Sequence, residues 1–205
     1  MAETIYKISN KILKIGGKLL TVSGGSPTPP PTPVLPDYTI RLKYQEGVTP
    51  TFRKGTAVQV SSSPNIWDLT YENSDWNDLL FSHTSLLEVI DANSTGVSNV
   101  SNMFAGCTGL TSVPLFDTSS ITNMAAMFMY CFSLTSVPLL DTSSVDSMDD
   151  MFSDCTNVQS GALALYQQAS GQSVPPTDHD HTFSNCGRNT VTGAAELAQI
   201  PADWK

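Results

Sequence analysis

The sequence predicts a mixed α/β chain: a short solenoid of 24-residue helix-strand coils, a small N-terminal β sheet in front of it, and a separate N-terminal β-rich anchor segment. Three observations predict it. Cys107, Cys131 and Cys155 recur every 24 residues, and the same step carries Met103 to Met127 to Met151, Phe104 to Phe128 to Phe152, and Val97 to Ile121 to Val145. Strict two-residue alternation runs through Tyr38, Ile40, Leu42 and Tyr44. A proline-dense stretch, residues 23–36, separates the first 22 residues from everything after it. A register this long marks an internal repeat, and a period of about 20 to 29 residues is the leucine-rich-repeat range among solenoids.

From the N-terminus, the organisation reads as an anchor or oligomerisation segment at 1–22, a linker at 23–36, a small β subdomain at 37–72 and the solenoid with its capping coils at 73–205. In the first segment Lys7-Ile8-Ser9-Asn10-Lys11-Ile12-Leu13 is echoed by Lys14-Ile15-Gly16-Gly17-Lys18-Leu19-Leu20. Ser9-Asn10 and Gly16-Gly17 suit two-residue hairpin turns, so the segment reads as a tiny meander. Its apolar residues Ile5, Ile8, Ile12, Leu13, Ile15, Leu19 and Leu20 are the candidate anchor. Roughly twenty residues make no stable core alone, so this piece is expected to order against another chain, first of all its own copies in a dimer or trimer. The prolines of the linker favour extended polyproline II, a semi-rigid spacer.

Strands are expected at Tyr38–Tyr44, Ala57–Val60 and Ile66–Thr70, forming a sheet packed on the first coil. Within a full coil, Val100, Met103, Phe104 and Cys107 run i, i+3, i+4, i+7, which predicts an α-helix of about two turns, with Ser98, Thr122 and Asp146 as caps. Leu110–Val113 and Leu134–Val137 then read as short extended pieces ended by Pro114 and Pro138. The core set of the repeat is Met103, Phe104, Cys107, Met127, Phe128, Cys131, Met151, Phe152 and Cys155, continued by Phe183 and Cys186 after seven inserted residues. That insertion accommodates a helix at Ala162–Ala169, and an amphipathic piece at Ala194–Ile200 closes the end. Stepping 24 residues back from Val100 lands on Trp76, and from Cys107 on His83, so Ser74–Ile90 reads as a degenerate, end-covering first coil.

Ten Lys+Arg against 19 Asp+Glu give a net charge of −9, which argues against a nucleic-acid partner. Four lysines face one glutamate in residues 1–20, whereas 14 acidic residues and no Lys or Arg lie between Lys54 and Arg188. With no run of 18 apolar residues, and with Lys, Ser or Asn interrupting the first stretch, neither membrane insertion nor a secretory signal is expected.

No catalytic pattern stands out: there is no Gly-x-Ser-x-Gly elbow, no phosphate-binding glycine loop and no His-Glu-x-x-His. Neither an enzyme nor any cofactor or metal is expected. The cysteines read as buried structural thiols, since 24-residue spacing stacks them instead of converging them. Asp178-His179-Asp180-His181 gathers metal-ligand types and reads as a solvated loop, with a metal-dependent hydrolase as the enzyme-class alternative. His83 reads as a satisfied histidine, Asp149, Asp150 and Asp154 as a solvated helix face, and Asp117 and Asp141 as partners of turn amides.

The repeat wording, M-F-x-x-C-x-x-L-x-x-V-P-x-x-D from Met103 to Asp117 and again from Met127 to Asp141, resembles the BspA-type and mycoplasma-lipoprotein-type leucine-rich repeats of bacterial surface proteins, over about Asp75–Asn189. The resemblance implies a solenoid displaying a binding surface outside a cell or particle, without enzymatic activity. Family members are usually exported, and here no signal, lipid-attachment Cys or sorting tail is read. A display module behind a short tag and a proline spacer resembles instead a minor virion protein of a tailed phage of gut bacteria, a head fibre or decoration. That implies synthesis in the host cytoplasm, a place on the virion surface, N-terminal docking on a capsid or tail protein, and weak, multiple contacts of the solenoid with a host-surface glycan or protein. The alternative is a bacterial cell-surface or secreted leucine-rich-repeat adhesin.

Overall fold

The computed structural model describes residues 13–15, 18–20 and 35–205, in two compact units, Met1–Val34 and Leu35–Lys205. In the first, β1 (Leu13–Ile15) pairs antiparallel with β2 (Lys18–Leu20), Leu13 opposite Leu20 and Ile15 opposite Lys18. Four of the seven candidate anchor residues thus lie in this hairpin. Ile5, Ile8 and Ile12, both expected turn dipeptides and the prolines of the linker before Pro36 lie outside the described residues.

The second unit is mixed, with a four-stranded antiparallel sheet and two short helices. Strands β3 (Thr39–Tyr44), β4 (Thr56–Ser62), β5 (Asn65–Thr70) and β6 (Leu86–Asn93) are ordered β4-β5-β3-β6. The three expected strands are present, and the first coil contributes the fourth. Alternation along β3 buries Ile40, Leu42 and Tyr44 to within 1% of complete burial. On its other face Arg41 meets Asp68 of β5 through two 2.7 Å bonds, and Lys43 meets Glu88 of β6 at 3.2 Å, both as cross-strand neighbours.

After the sheet, 24-residue stretches lie side by side. Parallel bridges link Asp75 to Asn99, Asn99 to Asn123, Asn123 to Ser147 and Ser147 to Asp178. The amides of Val100, Asn102, Phe104 and Gly106 donate to the carbonyls of Asn123, Ala125, Met127 and Met129 at 2.8–3.0 Å, and each neighbouring tier repeats the pattern. The amides between them turn inward: Met103, Ala105 and Cys107 donate to Val100, Asn102 and Phe104.

This corrects the helix expected in each coil. An α-helix commits its amides to its own i−4 carbonyls, whereas here every second amide leaves for the next tier. The chain manages this by entering the left-handed region every fourth residue, at Asn102 and Gly106, Ala126 and Tyr130, Asp150 and Asp154. A turn repeating every four residues brings Val100, Met103, Phe104 and Cys107 inward just as a helix would, so the apolar spacing is the same for both. The expected caps change role with it. The Ser98 and Thr122 carbonyls accept the Thr122 and Asp146 amides of the next tier, both at 2.8 Å. Asn99 and Asn123, one residue later, accept the Ser101 and Ala125 amides through their side chains at 2.9 Å. The extended pieces shrink to single bridges, Glu88 with Ser112 and Ser136 with Ser160.

The helices are α1 (Ala162–Ser170) and α2 (Val191–Leu197), followed by a 3-10 turn at Ala202–Trp204. Helix α1 falls where the insertion predicted it, and α2 begins three residues before the expected Ala194. Gly161 enters α1 at φ 99°, where a Cβ would run into the Val137 carbonyl.

Candidate binding face

Inside the stack, all eleven residues of the sequence-defined repeat core are at most 1% exposed. Phe104, Phe128, Phe152 and Phe183 form a column with ring centroids 5.4, 5.1 and 6.0 Å apart and planes within 12°. Trp204 closes the column, 6.3 Å from Phe183. The thiols of Cys107, Cys131 and Cys155 donate to the carbonyls of Leu80, Phe104 and Phe128 in the preceding tier, at 3.0–3.2 Å. Burial pushes the Cys107 and Cys186 thiols up to about 12, and those of Cys131 and Cys155 well above their ordinary value. These sulfurs fasten tiers and are poor nucleophiles.

The Asp178–His181 stretch is part of the ladder. The Asp178 and Asp180 carbonyls accept the Met148 and Asp150 amides, the His179 ring stacks on Trp204 at 4.2 Å, and His181 sits at φ 57°. Among the described residues no group of three His, Cys, Asp or Glu is arranged to hold a metal ion. Asp149, Asp150 and Asp154 lie on turn corners, half-buried, instead of on a solvated helix face. Burial, and then Asp150, Asp178 and Asp180, raise the Asp149 carboxyl above its usual range. Hydrogen bonds from the Ser119 and Ser143 side chains, and then from their backbone amides at 3.0 and 2.8 Å, lower the Asp117 and Asp141 carboxyls.

A groove of about 470 Å³ opens at the first tier, between segment 48–53 and segment 81–85. The loop that forms one wall is fixed. Asn65 donates to the Gln45 and Val48 carbonyls at 2.9 and 2.6 Å, and the Gln45 amide reaches the Ser85 carbonyl at 3.0 Å. Phe52 packs under the loop against Tyr44, Trp67 and His83 at 6.1, 6.2 and 5.5 Å. Arg53 is exposed and, among the described residues, joins no ion pair. His83 is held by Tyr44, whose hydroxyl lies 2.7 Å from Nδ1. Burial, and then the Arg53 charge, lower the His83 imidazole, while burial raises the Tyr44 hydroxyl, so both groups are neutral at pH 7.

The groove escaped the sequence reading because its walls come from two distant segments without periodicity. One signal was available: Arg53 and Lys54 are the last cations before a long acidic stretch. On the same side of the ladder, the positions equivalent to Ser82 are Gly106, Tyr130 and Asp154, and those equivalent to Thr84 are Thr108, Phe132 and Thr156. Tyr130 and Phe132 stand 44% and 42% exposed, with rings 6.0 Å apart. On another edge, Leu115 and Leu139 are exposed in register.

The family model described as "Mycoplasma protein of unknown function, DUF285" matches residues 65–174, just over half of the chain. No curated protein and no solved structure matches.

Proposed function

Since this chain belongs to the family described as Mycoplasma protein of unknown function, DUF285, we propose that it is a non-enzymatic display module of the BspA-like surface-protein kind, a short leucine-rich-repeat solenoid that holds a binding face outside a cell or particle. The observation that carries this reading is the split between inside and outside of the stack. Inward positions repeat almost word for word, as Phe104, Phe128, Phe152 and Cys107, Cys131, Cys155 do. Outward positions on the same tiers change chemistry, from Gly106 to Tyr130 to Asp154. Exposed aromatics held on a bonded frame are what recognition surfaces are built from, because a rigid ring loses little entropy on contact. Buried thiols that burial keeps protonated, and a histidine tied to Tyr44, supply no activated nucleophile among the described residues.

The partner is a host-surface glycan or protein, met by many copies at once. The separate N-terminal unit with its β1–β2 hairpin supports a more particular form, in which residues 1–22 assemble copies of the chain and seat them on a capsid or tail protein as a virion fibre. The alternative form is a bacterial cell-surface or secreted adhesin. Labelling with antibody against residues 35–205 separates them: signal on purified particles supports the virion form, signal on the bacterial envelope the adhesin form, and signal on neither overturns display. For the face itself, labelled full-length chain should be retained on host cells, and a Tyr130→Ala, Phe132→Ala variant should lose at least tenfold with an unchanged melting temperature. Equal retention of the variant would overturn this face.

A further inference from the structure

We propose that the groove between residues 48–53 and 81–85 is a subsite for a single carboxylated sugar, a hexuronic or related acid at the end of a glycan. The assignment deepens the display reading and rests on it in taking the ligand from a surface glycan.

Charge comes first. The described unit is acidic, and its other two arginines face carboxylates, Arg41 bonded to Asp68 at 2.7 Å and Arg188 3.9 Å from Asp154. Among the described residues Arg53 stands exposed at the groove without one. One guanidinium matches one carboxylate in a two-bond fork. It is too little for a phosphate ester, which carries nearly two charges, and an extended polyanion would be repelled by the acidic stretch that follows Lys54.

The histidine supplies a second donor. The Tyr44 hydroxyl is buried, with His83 Nδ1 as its partner. If Nδ1 carried the proton, the tyrosine hydrogen would be left unpaired in the core, at a cost of about 1–3 kcal/mol. Tyr44 therefore donates, and His83, a residue that lines the groove, takes the Nε2–H tautomer and keeps that N–H as its remaining donor. Thr51, Ser82 and Thr84 add hydroxyls that both donate and accept, as a sugar hydroxyl requires, and Phe81, 38% exposed, offers a ring for an apolar sugar face. The volume, about 470 Å³, holds one or two pyranose rings.

The test is titration of the full-length chain by ligand-observed NMR with glucuronic acid, N-acetylneuraminic acid, glucuronic acid methyl ester, glucose and glucose 6-phosphate. Saturable binding of at least one of the two carboxylated sugars is expected, at least tenfold tighter than that of the ester and of glucose. Arg53→Gln should abolish that preference, and His83→Phe should weaken the carboxylated sugar several-fold. No saturation by either acid, equal binding of the ester, tightest binding of the phosphate, or an unaffected Arg53→Gln variant would each overturn the assignment. Cell retention of the same Arg53→Gln protein keeps the two readings apart. Retention that depends on Tyr130 and Phe132 with no sugar in the groove leaves display standing and removes the subsite. A saturable groove on a chain that no cell retains leaves the subsite and removes display.

Discussion

The ring of Phe128 lies between two others and meets Phe152 at 5.1 Å with the planes 12° apart, the tightest step of the aromatic column. Because Phe104 covers its other side at 5.4 Å, neither face touches solvent. Phe128→Ala should therefore leave a cavity that the ladder bonds on both sides prevent from closing. The expected loss is about 3–5 kcal/mol, read by chemical denaturation, against about 0.5 kcal/mol or less for Phe132→Ala on the surface. Equal losses would mean that the column does not hold the tiers.

The thiols give a second check on the same stack. With Cys107 near 12, on the order of one thiol in ten thousand is ionised at pH 8, and burial denies reagent access as well. All four cysteines should resist a thiol reagent in the native protein and react together once it is unfolded. A fast-reacting native thiol would place at least one of them outside the core.

Backbone conformation yields a third expectation, at Gly161. Its φ of 99° is a region that side chains avoid, and the Val137 carbonyl occupies the space a Cβ would need. Gly161→Ala should destabilise by at least about 1 kcal/mol. Gly47, also at positive φ but with open space around it, should lose less on the same change. Measured melting temperatures in the reverse order would contradict the packing of α1 against the third tier.

These cases also mark what the sequence could reveal. Burial was legible from periodicity, because Met103, Phe104 and Cys107 must face inward in any regular conformation that repeats about every four residues. Backbone conformation was not, since a helix and a chain of bonded turns give the same spacing of apolar residues. The distinction was written in a weaker signal, Asn102 with Gly106 and Asp150 with Asp154, residue types that tolerate the left-handed region four apart. The β3 strand was legible because alternation has no such rival. The groove was not, because Arg53 and His83 meet only when the β3–β4 loop is tied down by Asn65, a contact with no periodic trace.

The Tyr44–His83 pair predicts how stability depends on pH. In the unfolded chain His83 titrates near its ordinary value of about 6.5, while in the fold burial and Arg53 hold it lower. Between those two values the unfolded state binds more protons than the native one, so stability falls as pH drops below about 6.5 and levels off once the folded imidazole is itself protonated. Above that window the pair contributes fully. Gln at position 83 keeps a side-chain acceptor for the Tyr44 hydroxyl but cannot titrate. The difference in unfolding free energy between the wild type and His83→Gln should therefore be constant from pH 7 to 8 and shift against the wild type as pH falls through 6.5 towards 5. Taking the difference cancels whatever other groups contribute, since both proteins share them. A difference that stays flat across the whole range would mean that His83 is as free in the fold as in the open chain, and that its bond to Tyr44 is not the one that fixes the wall of the groove.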